Sequence, residues 1–145
     1  MIRPMTPDDE PAVRALVAAL HPTWPSRPTA WYTLEHSTLV LEIGGEIAGY
    51  TVWGYTSGHA YGRDHGVRPD LRGRGLGHAL HQARLDACRT HGAALWVGIC
   101  WEGNTAMVRV LEAAGAVKMS THPGYFADND PPTDGATFVQ RLNEG

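Results

Sequence analysis

Three glycines and two arginines lie close together in the run Arg72-Gly73-Arg74-Gly75-Leu76-Gly77. A strand pattern ends shortly before this run, and a helical pattern begins within it. The first amides of a helix have no partners inside the helix, and with the helix dipole they form a site for anions. Glycine leaves such amides accessible, and arginine adds charge-assisted hydrogen bonds. The run therefore predicts a site for a pyrophosphate or a similar anion.

Other phosphate and nucleic-acid motifs do not fit this run. A Walker A loop needs a lysine followed by Ser or Thr, and the dinucleotide fingerprint needs the spacing G-x-G-x-x-G. Neither occurs here. An RNA-binding segment rich in Arg and Gly would be repetitive and disordered, whereas this run begins a helix with an apolar face. Six residues alone could also form a surface turn with solvated arginines.

The spacing of apolar residues predicts the elements that position the run. The helices are expected at 7–20, 31–35, 76–91 and 105–114. The strands are expected at 2–3, 38–43, 46–55, 60–67, 94–100, 117–121 and 137–142. This order mixes hairpins with β-α-β crossovers and predicts an α/β (mixed α+β) fold, in which a central sheet of about seven strands is flanked by about four helices. The chain is expected to form a single domain over 1–145.

Several local features sharpen these expectations. Gly44-Gly45 between two apolar runs predicts a hairpin turn. The composition of 94–100 predicts a strand that is buried on both faces. Leu76, Leu80, Ala83 and Ala87 predict the inner stripe of one helix. The segment 124–135 is polar and rich in proline, and it is expected to be a loop.

Composition limits the classes of function. A net charge of −3 over 145 residues argues against a dedicated nucleic-acid protein, since such proteins carry a basic excess. Two cysteines are too few for a disulfide scaffold, and no apolar stretch is long enough to cross a bilayer. With a polar N-terminal segment, these features predict a cytoplasmic protein without a membrane partner.

The eight histidines do not predict a metal site. They show neither the HExxH pattern nor a Cys/His cluster with ligand spacing. His78 and His81 lie one helical turn apart, but no third ligand is evident. Both are expected to be solvated on the helix surface.

Two segments resemble the GNAT superfamily of N-acetyltransferases, whose signature is Gln/Arg-x-x-Gly-x-Gly/Ala at a strand-to-helix turn. Arg72, Gly75 and Gly77 match that signature. Downstream, Asn104-Thr105-Ala106-Met107 and Leu111-Glu112-Ala113-Ala114-Gly115-Ala116 resemble the family's Asn-x-x-Ala/Met…Tyr-Glu-Lys-x-Gly-Phe helix. The likeness is strongest over residues 60–121.

The resemblance implies a GNAT-like fold, acetyl-CoA as cosubstrate, an amine acceptor and no metal. Amides of 72–78 would hold the CoA pyrophosphate, and the strand segment 65–67 would pair with the pantetheine arm as an added strand. Asn104 would contact the pantetheine or cap its helix. The residues implied at the cofactor are His65, Gly66, Val67, Arg72, Gly73, Arg74, Gly75, Leu76, Gly77, His78 and Asn104.

The sequence departs from the family where a tyrosine often protonates the departing CoA thiolate. Leu111 occupies that position and cannot donate a proton, and Ala116 replaces an expected aromatic residue. Tyr125 is the first alternative donor, although it could equally be an ordinary loop tyrosine. Solvent could also protonate the thiolate, because an ordinary thiol has a pKa near ~8.5.

Acetyl transfer to an amine needs the neutral amine, so a base is expected. Asp64 and His65, with Tyr61 further out, lie on the strand before the glycine-rich run. Alternation places Asp64 and His65 on opposite faces, so at most one of them faces the cleft. Histidine titrates near neutral pH, which favours His65. A polar strand end without chemistry is the competing interpretation.

The leading hypothesis is an acetyl-CoA-dependent N-acetyltransferase acting on a small molecule, peptide or protein by direct attack in a ternary complex. A non-catalytic acyl-CoA sensor is the alternative, and Leu111 is the feature that favours it. An acetyltransferase of aminoacyl-tRNA would need a basic surface, which a net charge of −3 does not indicate, and a metal enzyme would need a ligand cluster that the histidines do not form. A homodimer through exposed strand edges is possible, although no segment specifies one.

Overall fold

The computed structural model describes residues 1–21, 38–127 and 132–143, which form a seven-stranded mixed sheet with helices on both faces. The strands are β1 (Ile2–Pro4), β2 (Thr38–Ile43), β3 (Glu46–Thr56), β4 (His59–Val67), β5 (Leu95–Trp101), β6 (Val117–Phe126) and β7 (Thr133–Arg141). The α-helices of the described residues are α1 (Glu10–Leu20), α2 (Leu76–His91) and α3 (Thr105–Ala114). The strand order is β1-β2-β3-β4-β5-β7-β6, in which β4 and β5 are parallel and every other pair is antiparallel.

The predicted α/β architecture and seven strands are confirmed. The Gly44-Gly45 turn is also confirmed, since both glycines have positive φ and join β2 to β3. The helix expected at 31–35 lies outside the described residues. No helix in the described parts of the chain has the length and apolar character needed to span a membrane.

The two faces of the sheet are covered by different helices. On one face, Val13 and Val17 of α1 pack with Val40 and Val52 of the sheet. On the other face, α2 and α3 pack with β3, β4, β5 and β7 in one cluster, which is the largest part of the core. Its fully buried side chains from these elements include Leu85, Cys88, Trp96, Leu111 and Phe138.

β5 differs from its prediction. Leu95, Ile99 and Trp101 are between 38% and 45% exposed, whereas Trp96 is buried against α2. The strand is therefore buried on one face only, because α2 and α3 cover a single side of it. The apolar composition of a strand shows which side chains could be buried, but it does not show whether one face or both faces are covered.

The other differences concern element ends and one helix face. β6 continues to Phe126 and β7 begins at Thr133, so the predicted loop 124–135 is shorter than expected. In α2, the predicted inner stripe is right at Leu80, but Ala83 and Ala87 are only half-buried. The fully buried side chains of α2 are Leu80, His81, Arg84, Leu85 and Cys88.

Two irregularities open the middle of the sheet. Between β3 and β4, Val52 pairs with Asp64 but Trp53 pairs with Gly62, so β4 carries one extra residue and forms a β-bulge. β4 pairs with β5 only at His59–Tyr61, opposite Leu95–Val97. Beyond these pairs the two parallel strands diverge, and residues 62–67 have no β5 partner.

Candidate functional site

The glycine-rich run forms the turn between β4 and α2. A short 3-10 helix at Pro69–Leu71 follows β4, and Gly75 then caps the N-terminus of α2. Gly73 and Gly75 both have φ +78, a left-handed backbone that favours glycine. Among the described residues, no side chain caps the first turn of α2. Its leading amides are therefore available to an anion, as the sequence predicts.

The three glycines have different surroundings. A Cβ at Gly73 or Gly75 would meet no atom within 4 Å, so these two positions require glycine for their backbone conformation. A Cβ at Gly77 would lie 3.6 Å from His65 Nε2 and 3.8 Å from Val110 Cγ2, in ordinary contact. Gly77 thus faces the protein interior, and only Gly73 and Gly75 border open space.

Some side chains of this turn hold it against the rest of the protein, and others are exposed to solvent. Arg72 Nε donates a hydrogen bond of 3.3 Å to the Val67 carbonyl, which ties the turn to the end of β4. Arg74 and His78 are exposed beside the uncapped amides. Leu76 is half-buried and packs against the apolar cluster that contains Leu80.

The segment His65–Gly66–Val67 lies on the part of β4 that has no β5 partner. This edge leads directly to the uncapped start of α2, since only residues 68–75 separate them. An unpaired strand edge offers backbone donors and acceptors to an extended ligand. The divergence of β4 and β5 thus places an unpaired strand edge next to the uncapped amides of α2.

Asp64 and His65 face opposite sides of the sheet, as alternation predicts. Asp64 accepts hydrogen bonds from the Tyr50 hydroxyl at 3.2 Å and from the His65 amide at 2.8 Å. His21 Nε2 lies 3.9 Å from the same carboxylate. Tyr50 belongs to the cluster under α1, so Asp64 lies on the α1 face.

His65 lies on the α2 face. Its Nδ1 is 3.0 Å from Thr51 Oγ1, and its ring meets the ring of His81 edge-on, with the centroids 6.3 Å apart. Burial and the nearby Arg84 guanidinium hold the pKa of His65 well below its ordinary value. His65 is consequently a neutral ring at physiological pH.

The expectation that His81 is solvated is wrong. His81 is fully buried, and burial lowers its pKa to about 3. Its Nδ1 accepts hydrogen bonds from Arg84, through Nε at 3.2 Å and Nη2 at 2.9 Å. Helical spacing gives no reason to bury these two polar residues, so sequence reasoning missed them both.

The remaining predicted residues lie around the end of β5. Asn104 caps α3, since its Oδ1 accepts a hydrogen bond from the Met107 amide at 3.1 Å. Leu111 is buried in the core under α3. Tyr125 is half-exposed and packs on Gly135, which pairs with Trp101 of β5. Within the described ranges, no three His, Cys, Asp or Glu side chains are grouped to hold a metal ion.

Comparison with known proteins identifies the family. The profile of the Acetyltransferase (GNAT) family matches residues 8–116, which is most of the chain. The chain belongs to this family. The match includes the glycine-rich turn and α3, the two segments on which the sequence resemblance depends. The chain is therefore a transferase of acyl groups.

Solved structures of GNAT proteins share this fold over nearly their whole lengths. The ribosomal-protein-S18-alanine N-acetyltransferase of Escherichia coli is 18% identical, with a TM-score of 0.85, and the match covers 100% of this chain and 95% of that one. A putative acetyltransferase of Salmonella typhimurium, solved with its cofactor acetyl-CoA, is 23% identical, with a TM-score of 0.86 and the same coverage. At these identities the likeness shows the fold alone. A search of curated proteins found no match.

Proposed function

We propose that this chain transfers the acetyl group of acetyl-CoA to a primary amine of a small molecule, peptide or protein. The amine attacks the thioester directly in a ternary complex. The observation that carries the proposal is the unpaired β4 edge at 62–67, which leads to the uncapped amides of α2. CoA has a matching order of groups, because its amide-containing pantetheine arm ends at a pyrophosphate.

The donor site combines backbone and side-chain contacts. The amides after Gly75 would bind the pyrophosphate, with Arg74 supplying charge from the exposed turn. The segment His65–Gly66–Val67 would pair with the pantetheine. Asn104 uses its carbonyl oxygen for the cap, which assigns its NH2 group to any contact with the pantetheine.

The direction of acceptor approach supports Asp64 as the base. α2 and α3 cover one face of β5, while Ile99 and Trp101 leave the opposite face partly exposed. An acceptor would enter from that opposite face, which is also the face of Asp64. The neutral His65 ring instead contacts Thr51 and faces the first turn of α2. We therefore assign proton removal from the ammonium to Asp64, directly or through water, and the orientation of the turn to His65.

The thiols of the chain favour direct attack over an acyl-enzyme. Burial raises the pKa of Cys88 to about 12 and that of Cys100 to about 11. Both cysteines are therefore protonated near neutral pH, and a protonated thiol is a poor nucleophile. Attack by the amine itself removes the need for such a residue.

The departing thiolate needs a proton from a group other than Leu111, whose side chain is buried. Tyr125 is the proposed donor, since its half-exposed ring lies one strand away from the end of β5. If solvent supplies the proton instead, Tyr125→Phe will leave turnover unchanged. The cytoplasmic location and the possible homodimer stay predictions from the sequence.

The test is thiol release from acetyl-CoA in the presence of a panel of amines, peptides and proteins. We expect an amine-dependent thiol signal, with acetylated acceptor found by mass spectrometry. Asp64→Asn should lower kcat by about 10²–10⁴ while the Kd for acetyl-CoA stays unchanged. His65→Gln is the matched variant on the other face, and its effect should appear mainly in donor binding.

Three outcomes separate the alternatives. CoA binding without turnover on any acceptor would favour the sensor hypothesis. Absence of CoA binding would remove the acetyltransferase proposal altogether. A loss of kcat in His65→Gln but not in Asp64→Asn would reverse the assignment of the base.

A further inference from the structure

A buried arginine lies beneath the point where the sheet opens. Arg84 of α2 is 2% exposed, and no carboxylate of the described residues lies within ion-pair distance of its guanidinium. Burial lowers its pKa to about 10, so the side chain remains charged at physiological pH. A buried charge is costly unless hydrogen bonds satisfy it. The hydrogen bonds of Arg84 therefore identify the groups that its buried charge stabilises.

The guanidinium holds the two strands at the β-bulge. Arg84 Nη1 donates hydrogen bonds of 3.2 Å to the Val52 carbonyl and of 3.2 Å to the Asp64 carbonyl. These two residues are the last regular pair before β4 gains its extra residue. A bulge disrupts the strand ladder and leaves backbone groups without their usual partners. One side-chain nitrogen supplies the donors that the disrupted ladder lacks.

The other two guanidinium nitrogens hold the Arg84 side chain in the orientation that lets Nη1 reach the bulge. Nε and Nη2 both donate to Nδ1 of His81, one turn earlier on α2. The neutral state of His81 leaves Nδ1 able to accept, and a protonated ring would not. The His81 ring in turn meets Trp96 edge-on, with centroids 4.9 Å apart.

Trp96 of β5 lies over both diverging strands on the α2 face. The guanidinium carbon of Arg84 lies over the indole, 5.0 Å from the ring centroid. A Cβ at Gly62 of β4 would approach the indole to 2.6 Å, and a Cβ at Gly98 of β5 would collide with the same ring. The ring thus lies against both strands, and glycine on each strand makes room for it.

We propose that Arg84 and Trp96 form a positioning wedge that holds β4 in its bulged path and keeps β4 apart from β5. The wedge keeps the β4 edge available to the pantetheine arm of CoA. The anion site at the start of α2 does not depend on it. This inference rests on the proposed function, since it assigns a task to residues beneath the proposed donor site.

The test compares two ligands that share the phosphates and differ in the pantetheine arm. Calorimetry gives the Kd of CoA and of 3′-phosphoadenosine 5′-diphosphate for each variant. In Arg84→Met, which keeps length and removes the charge and donors, we expect CoA affinity to fall about tenfold or more. Affinity for the diphosphate should stay within about twofold of that of the native chain. A general loss of stability would weaken both ligands alike.

Arg89→Met is the matched control on the same helix. Arg89 is exposed and bonds Asp86 and the Leu142 carbonyl, away from the bulge. Its ratio of CoA to diphosphate affinity should equal that of the native chain. Arg84→Lys keeps the charge and one set of donors. Its ratio of CoA to diphosphate affinity should therefore lie between that of Arg84→Met and that of the native chain.

The outcomes are distinct. An unchanged ratio in Arg84→Met would overturn the wedge even if the variant is less stable. If Arg84→Met does not fold, Trp96→Phe decides, because the smaller ring keeps an apolar core but has less area to lie against both strands. An unchanged ratio there would also overturn the proposal. Failure of the native chain to bind CoA would instead remove the proposed function.

Discussion

The left-handed backbone at Gly75 makes a quantitative prediction about the turn. Gly75 has φ +78, and a Cβ there would meet nothing within 4 Å. Any penalty for Gly75→Ala is therefore conformational and not steric. This conformation destabilises most residues other than glycine by about 1–2 kcal/mol, and it destabilises asparagine less. We expect Gly75→Ala to cost more than Gly75→Asn.

The penalty can appear in two measurable quantities. If the free turn keeps its left-handed path, unfolding free energy falls by about 1–2 kcal/mol and CoA affinity is unchanged. If the free turn relaxes, binding must restore the path, and CoA affinity falls about 5- to 30-fold. Urea unfolding and calorimetry with CoA measure the two parts. Their sum in Gly75→Ala should be about 1–2 kcal/mol.

Gly77→Ala supplies the control for this reasoning. Gly77 lies in the first turn of α2 without a positive φ, and its Cβ would make only ordinary contacts with His65 and Val110. We expect CoA affinity within about twofold of native in this variant. The reasoning is refuted if Gly75→Ala changes neither quantity, or if Gly77→Ala weakens CoA more than Gly75→Ala does.

Three further predictions concern other buried groups. Because burial lowers the pKa values of His65 and His81, the unfolded chain binds protons that the folded chain excludes, and stability must fall as pH drops below about 6.5. The unfolding free energies at pH 7.5 and pH 5 should differ by about 2 kcal/mol for His81 alone, and a flat profile would contradict its burial. Asp9→Asn should lower the unfolding free energy by about 1–3 kcal/mol in urea, because the Asp9 carboxylate accepts two hydrogen bonds from one arginine and another from the Thr6 amide; an unchanged midpoint would count against this pair. Cys88 and Cys100 should alkylate more than about tenfold faster in urea than in the native protein at pH 8, since burial raises both pKa values, and equal rates would be the contrary result.

Local chemistry made several features predictable from sequence. Glycines and arginines before an apolar helix predict an anion site, because helix amides and left-handed turns depend on a few adjacent residues. The cap at Asn104 follows the same logic, and the structure has it. Helix and strand periodicity likewise predicted the mixed sheet and its seven strands. The motif at 72–77 led to the family that the profile match confirms.

The arrangement of faces was not predictable in the same way. Periodicity shows that 64 and 65 point in opposite directions, but only the packing of α1 and α2 decides which face each one meets. Composition predicted a β5 strand covered on both sides, whereas α2 and α3 cover only one.

The burial of His81 and Arg84 was decided by tertiary structure alone. A helical pattern counts these residues as surface positions because they are polar. They are buried because α2 crosses the sheet where a bulge leaves the carbonyls of Val52 and Asp64 in need of donors. That need arises between strands distant in sequence from the helix. The sequence by itself thus determined the glycine-rich turn and the uncapped helix start that follows it, and the tertiary structure determined the opening of the sheet beside them.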